Sequence, residues 1–503
     1  MITAIRLAQI ISLGLLLQVA AHAGEIEEGV IATGTPFETR WRAWDSDVEG
    51  PTVLVIGGVH GNEPAGHRAA RQIATWPVNR GRLVVLPAAN PPALEARNRR
   101  IPGLDGDAGD LNRHFEVIDG EVRPTGPAAP AIWRFVESVK PDVILDLHEG
   151  YGFRAAGSKS VGTSIITHRE VDDTAQQLML AEVNRGNEDP ERRFVELNGI
   201  VRGSLARAAA VALGVEAHIL ETTWKGQPLS RRCRQHRRMV AARLADLGMH
   251  ADSESMVDVL VDPEDARPRV ALFDGPGAGS VSQGRRFEGL LPGCRVERLG
   301  PDDIRAGCLD AFDAVIFPGG SGSGQAEAIG VSGREKVRAF VDEGGGYIGV
   351  CAGSYLALDD YTWGLRLVPM DSHDRMHWRR GNASLQIELT AEGMEMFQES
   401  ESVREISFRQ GPLMHPSEEP DNNAEVEVLA WFRTGVGRNG ADPATMIDTP
   451  AIVRVEFGEG RVLLFSPHPE LTDGMEDWLR LAFDWTVERP VEPDPMPTST
   501  DSR

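Results

Sequence analysis

The chain has 503 residues, too many for one hydrophobic core, so two or three domains are expected. Apolar residues make up 41% and charged residues 25%, ordinary values for a globular protein. A net charge of −23 repels phosphates and excludes nucleic acid as a partner, and no apolar run beyond the N-terminal segment is long enough to span a bilayer.

At the N-terminus, Arg6 precedes an apolar stretch over residues 10–19, and Ala21-His22-Ala23 places small residues where a signal peptidase reads. Residues 1–23 therefore read as a signal peptide cut before Gly24, with an uncleaved anchor as the alternative. Export to the periplasm or the medium is expected, with no membrane association after cleavage. The mature chain would then meet an oxidising space, where Cys233, Cys294, Cys308 and Cys351 allow three full pairings. Cys294 and Cys308 are close enough in sequence to close a small loop, and no cysteine has zinc-finger spacing.

Residues 24–250 alternate strands, near Val53, Leu83, Val143, Ile165 and Ile219, with helical stretches, the pattern of an α/β domain with a largely parallel sheet. Residues 53–56 read as a strand buried on both faces; Gly57-Gly58 lets the backbone leave it sharply, and Pro64 suits the first turn of a helix. His60 and Glu63 fall in the turn between, at the carboxyl end of a strand, where open α/β sheets place ligands. Alone, this pair is more often a polar surface turn. A second strand, Asp142-Val-Ile-Leu-Asp-Leu-His148, ends in another histidine, and two His with one Glu form a three-ligand zinc set that keeps a position open for water. Glu221 ends a third apolar strand, where a carboxylate either takes the water's proton or serves as a helix cap or surface pair. Asn112 and Arg113 offer an amide and a guanidinium to a planar carboxylate, and Arg99 and Arg100 are candidates to polarise a scissile carbonyl. Residues 230–247 read as a helix capped by Ser230; its five arginines over residues 231–238 read as a solvated face, with an anionic ligand as the alternative.

The ordered set His60-x-x-Glu63, Asn90-Pro91, an arginine, Asp110-Leu-Asn-Arg113-x-Phe115, Asp146-Leu-His148 and Leu220-Glu221-Thr222 resembles the zinc carboxypeptidases, in particular their succinylglutamate desuccinylase and aspartoacylase branch. The resemblance implies zinc (Zn2+) as cofactor on His60, Glu63 and His148, and Glu221 as general base. It also implies a substrate carboxylate on Asn112 and Arg113, with Arg99 or Arg100 on the oxyanion. The interval from Arg100 to Arg113 is longer than that pattern leads one to expect. For an exported enzyme the implied substrate is a peptide or N-acyl amino acid, cell-wall peptides included.

Residues 251–268 are acidic and Pro-containing and read as a linker. A second alternation fills residues 269–489, with strands near Val270, Val315 and Ile348 and helices near Gly284, Gly333 and Ala352. Strands follow at Leu385, Val426, Ile452 and Val462, then a helix over residues 474–487; residues 490–503, rich in Pro, Ser, Thr and Asp, read as a disordered tail. Gly349-Val-Cys351-Ala-Gly353 reads as a strand, a sharp turn carrying Cys351 and a helix, the setting of a nucleophile elbow. His468 and Glu470 end a later strand, and Cys, His and Glu are the parts of an activated thiol; Pro318-Gly-Gly320 offers backbone amides to an oxyanion. Taken alone, such a cysteine is more often a small buried hydrophobe. Together the pieces resemble the flavodoxin-like class I glutamine amidotransferase fold, most closely the amidotransferase-like domain at the N-terminus of some biotin protein ligases. Tyr355 stands where active members usually place Gln, and no synthetase domain is recognisable. A thiol hydrolase or a ligand-binding relic is therefore the expected reading.

The sequence thus points to an α/β protein of two domains, each a mostly parallel or mixed sheet flanked by helices. The leading expectation is an exported zinc-dependent amidohydrolase or carboxypeptidase. The alternatives are a catalytically inactive binding protein, or a Cys351-dependent thiol amidohydrolase targeted by the zinc domain.

Overall fold

The computed structural model describes residues 24–168, 174–250 and 265–487. The expected signal peptide over residues 1–23, most of the linker over 251–264 and the tail over 490–503 lie outside the described residues.

Each half of the chain builds its own sheet, one of eight strands and one of nine. In the first, Arg82–Leu86, Thr52–Ile56, Val143–Gly150 and Glu216–Thr223 run parallel as the centre. Alternation along these strands fills both faces: Val53 and Val55 enter one apolar cluster, Leu54 and Ile56 the opposite one. A side chain of this kind contributes about 1.5–3 kcal/mol when fully buried, so burial on two faces holds the centre of the sheet in register. The Ile165 strand, Ser164–Thr167, pairs antiparallel with Glu216–Thr223, and an N-terminal hairpin of Glu25–Ile31 and Thr39–Asp45 adds a further antiparallel edge.

The second sheet begins with five parallel strands, Arg295–Leu299, Arg269–Phe273, Ala314–Phe317, Gly346–Val350 and Gly460–Phe465. It continues antiparallel through Pro450–Phe457, Glu427–Phe432, Asn382–Leu389 and Val403–Arg409. The protein is a mixed α/β, two-domain structure, as expected. The last helix spans Trp478–Val487, four residues shorter at its start than the sequence pattern indicates.

Three expectations are corrected. The basic helix, Leu229–Asp246, is not a solvated face: Arg232 and Arg237 are 4% and 0% exposed. Arg232 pairs with Glu149 inside the first domain, and Arg237 and Arg234 reach Asp303 of the second at 2.6 and 2.8 Å. Tertiary contact with carboxylates, invisible in a linear charge pattern, is what buries them. Ser230 is not the cap of this helix, which begins after Pro228; its backbone N–H instead donates to the Asp274 carboxylate at 3.0 Å, across the domain boundary. Finally, none of the four cysteines is in a disulfide, so Cys294 and Cys308 do not close a loop. Burial pushes the Cys233 thiol up to about 12 and the Cys294 thiol up to about 11, which makes both poor nucleophiles.

Candidate metal centre and thiol site

The parallel pairing of the first sheet brings the carboxyl ends of three strands together. The turn after Thr52–Ile56 carries His60 and Glu63, Val143–Gly150 carries His148, and Glu216–Thr223 carries Glu221 directly beside His148 in the register. Pro64 opens the following helix, Pro64–Ile73, as its position demands. Gly61 is required between the two site residues, because a Cβ there would lie 1.7 Å from the Ala93 carbonyl oxygen.

His60, Glu63 and His148 are buried, and one ligand atom from each lies within 4.8 Å of the others. Glu63 is the hinge of the cluster: Oε1 is 2.8 Å from His60 Nδ1, and Oε2 is 3.0 Å from His148 Nδ1. The far nitrogen of each ring faces another carboxylate, His60 Nε2 at 2.9 Å from Asp110 and His148 Nε2 at 3.1 Å from Asp146. Imidazoles backed by carboxylates, with their other nitrogens converging, form the arrangement of metal-ligating histidines. His60 Nδ1 is buried without an aligned hydrogen bond, a second feature that fits a cation.

Burial alone would raise the Glu63 carboxyl, but the positive field of His60 and the hydrogen bond from His148 hold it well below the usual carboxylate range. Burial pushes Glu221 up to about 8, with His148 opposing and Glu63 reinforcing the shift. Glu221 is 8% exposed, and its Oε2 has no hydrogen-bond partner.

The two arginine candidates separate cleanly. Arg99 bridges Glu63 and Asp110 at 2.8 and 3.3 Å, whereas Arg100 is exposed and donates to the Gly106 carbonyl. Asn112 is buried, and its amide oxygen accepts from the Leu205 N–H at the start of a helix. Arg113 donates to the Asn112 carbonyl at 2.8 Å. Asp146, Asp110, Glu149 and Arg232 carried no assigned role in the sequence reading. For Asp146 a signal existed: it lies two positions before His148 on one strand, hence on the same face.

In the second domain Cys351 has φ +53°, a strained value for a non-glycine residue, at the turn between Gly346–Val350 and the short helix Ala352–Ala357. His468 Nδ1 is 2.7 Å from Glu470, and its Nε2 is buried without a hydrogen-bond partner. A Cβ placed on Gly319 would lie 2.9 Å from His468 Cε1 and 3.7 Å from Cys351 Cβ, so the thiol, the imidazole and the Pro318-Gly319-Gly320 backbone converge. Burial would lower the His468 imidazole, but interaction with the Cys351 thiol and the Glu470 carboxylate outweighs it and carries the ring up to about 10. Tyr355 packs against Tyr361, ring centroids 6.0 Å apart, in an aromatic group that includes Trp363.

Residues 49–185 match the family described as the succinylglutamate desuccinylase/aspartoacylase catalytic domain, and residues 310–370 match the family described as biotin-protein ligase, N terminal. A curated relative, the N-alpha-acetyl-L-2,4-diaminobutyric acid deacetylase of Halomonas elongata, is 39% identical over 106 residues, which cover 20% of this chain and 29% of the relative. Among solved structures, tripeptide-bound cell shape determinant Csd4 of Helicobacter pylori aligns at 20% identity over 50% of this chain and 66% of its own, with a TM-score of 0.35. A succinylglutamate desuccinylase/aspartoacylase of Rhodobacter sphaeroides aligns at 25% identity over 42% of this chain and 59% of its own, with a TM-score of 0.31. The first resemblance read from the motifs thus holds over residues that include His60, Glu63 and His148, and it relates this region to amidohydrolases.

Proposed function

We propose that the first domain is a zinc-dependent hydrolase of an amide bond next to a free carboxylate, acting on N-acyl amino acids or peptides, cell-wall peptides included, after export of the chain. The observation that carries this reading is the convergence of His60, Glu63 and His148, with Glu221 beside His148 on the next strand. The similarity to a relative named as a deacetylase of an N-acetylated amino acid supports the reaction class.

His60, Glu63 and His148 hold the metal, which when bound supplies a Lewis acid for the carbonyl and a lowered pKa for water. Asp110 and Asp146 fix the two rings from behind. Glu221 takes the proton of the attacking water and returns it to the leaving amine. Arg99 meets the oxyanion, a role supported by its bridge between Glu63 and Asp110 at the rim of the cluster, and the exposed Arg100 does not. Asn112 and Arg113 hold the substrate carboxylate through a planar fork.

The test is metal analysis of the full chain combined with a screen of N-acyl amino acids and short peptides, muropeptides included. Stoichiometric zinc and chelator-sensitive amine release are expected. Bound zinc with substrate binding but no turnover would instead support an inactive binding protein. Export is checked separately by the mass of the mature chain, expected to begin at Gly24.

A further inference from the structure

Cys351 stands where two cavities meet. One, of about 490 Å³, includes Gln283, Arg286 and His468 in its walls; the other, of about 460 Å³, includes Tyr361, Trp363 and Arg375, and both share Gly320, Cys351 and Arg409. Neither wall contains an Asp or Glu. In a chain of net charge −23, a cleft walled by Arg286, Arg375 and Arg409 without an acidic residue is a local inversion of sign.

The three cations differ in how they are held. Arg286 donates to the Glu470 backbone carbonyl at 3.1 Å, and Arg375 lies over the Tyr361 ring and 3.6 Å from Asp360. The Arg409 guanidinium makes no hydrogen bond or ion pair with any described residue, while its backbone carbonyl accepts from the Cys351 thiol at 3.3 Å. Arg409 is thereby anchored through its backbone next to the Cys351 thiol, and the neighbouring His468 is buried with an unpartnered Nε2.

We propose that this cleft takes acyl donors that carry a carboxylate but no free ammonium group, such as monoamides of dicarboxylic acids or N-blocked acidic residues. Arg409 receives the carboxylate, Cys351 attacks the amide carbonyl, and the Tyr361 and Trp363 slot holds the amine portion. Free glutamine is a poor fit, because its ammonium would face arginines in a cleft whose two walls contain no carboxylate, Asp360 lying behind Arg375. In the reaction the Sγ–C bond forms as the C–N bond breaks, and His468 passes the thiol proton to the leaving amine. Water then splits the thioester, giving a carboxylic acid and restoring the thiol, with no change of oxidation state.

Two measurements on the full chain test this, both in a Glu221→Gln background so that failure is separable from failure of the zinc reading. The first compares alkylation of Cys351 by iodoacetate and iodoacetamide, followed by mass spectrometry and normalised to N-acetylcysteine. A normalised preference for iodoacetate of at least about tenfold is expected, kept in part by Arg409→Lys and lost in Arg409→Gln. A wild-type ratio equal to that of N-acetylcysteine, or a preference untouched by Arg409→Gln, overturns the anion assignment. The second follows p-nitroaniline release from succinyl p-nitroanilide and butyryl p-nitroanilide, and ammonia release from glutamine. Cleavage of the succinyl compound alone, abolished by Cys351→Ser, is expected. No release, equal release from the butyryl compound or preferred turnover of glutamine overturns the proposed substrate class.

Discussion

Both sites lie at the carboxyl ends of parallel strands, but they compensate charge in opposite ways. Around Glu63 the charged groups interlock: each carboxylate of Glu63, Asp110 and Asp146 touches a histidine, and Arg99 closes the rim. Around Cys351, His468 pairs with Glu470 and Arg375 with Asp360, while the guanidinium of Arg409, a residue of the cleft wall, pairs with no described carboxylate. A centre of the first kind is coupled to the fold, because deleting one member leaves another buried and unpaired. A site of the second kind keeps its recognition groups at the surface, so its variants should alter selectivity and leave stability nearly unchanged.

The largest effect expected is on turnover at the first site. Glu221→Gln should retain stoichiometric metal while amide hydrolysis falls by about 10²–10⁴-fold, the range for loss of a general acid–base group. Unchanged activity would remove the base assignment. Next comes the junction between the domains. Asp303→Ala leaves the fully buried Arg237 without that carboxylate, and urea unfolding should show a loss of about 3–5 kcal/mol. A loss below about 1 kcal/mol, the range of an exposed pair, would mean that this junction does not form in solution.

Arg99→Ala should lower kcat by about 10²–10³-fold, the cost of removing one oxyanion donor. Arg100→Ala, on an exposed arginine held by a single backbone carbonyl, should change neither rate nor stability measurably. Equal losses in the two variants would erase the distinction between them. A pH dependence is also expected at the second site. His468 in the folded state titrates at about 10, above the ordinary imidazole value of 6.5, so it binds a proton that the unfolded chain releases. Its contribution is complete below the unfolded pKa and is lost as pH rises through 10, so stability should decline between about pH 7 and 10. His468→Gln should flatten that decline in thermal melts recorded across the range; an unaltered slope would assign it to other groups.

Much of this architecture was legible in the residues. Val53 to Ile56 and Val143 to Leu147 are apolar runs that belong in the middle of a doubly covered sheet, and the glycines and proline around His60 mark a strand-to-helix turn. The edge hairpin of Glu25–Ile31 and Thr39–Asp45 was not legible, since its partly exposed strands alternate weakly. The arginines of Leu229–Asp246 misled for a related reason. Charge on a helix looks solvated until the opposing carboxylates, Glu149 and Asp303, are brought to it from distant parts of the chain.

The sequence by itself determined which side chains occupy the carboxyl ends of the strands and the turns after them, because strand and turn propensities are local and the spacing of His60, Glu63, His148, Glu221, Cys351 and His468 follows from them. Only the tertiary structure decided which of those turns adjoin. It placed Asp110 and Asp146 behind the histidines, separated Arg99 from Arg100, kept the four cysteines out of disulfides and brought Arg409 into the cleft wall beside Cys351. Strand order and side-chain burial depend on contacts between residues far apart in the chain, and those contacts set the charge each site presents.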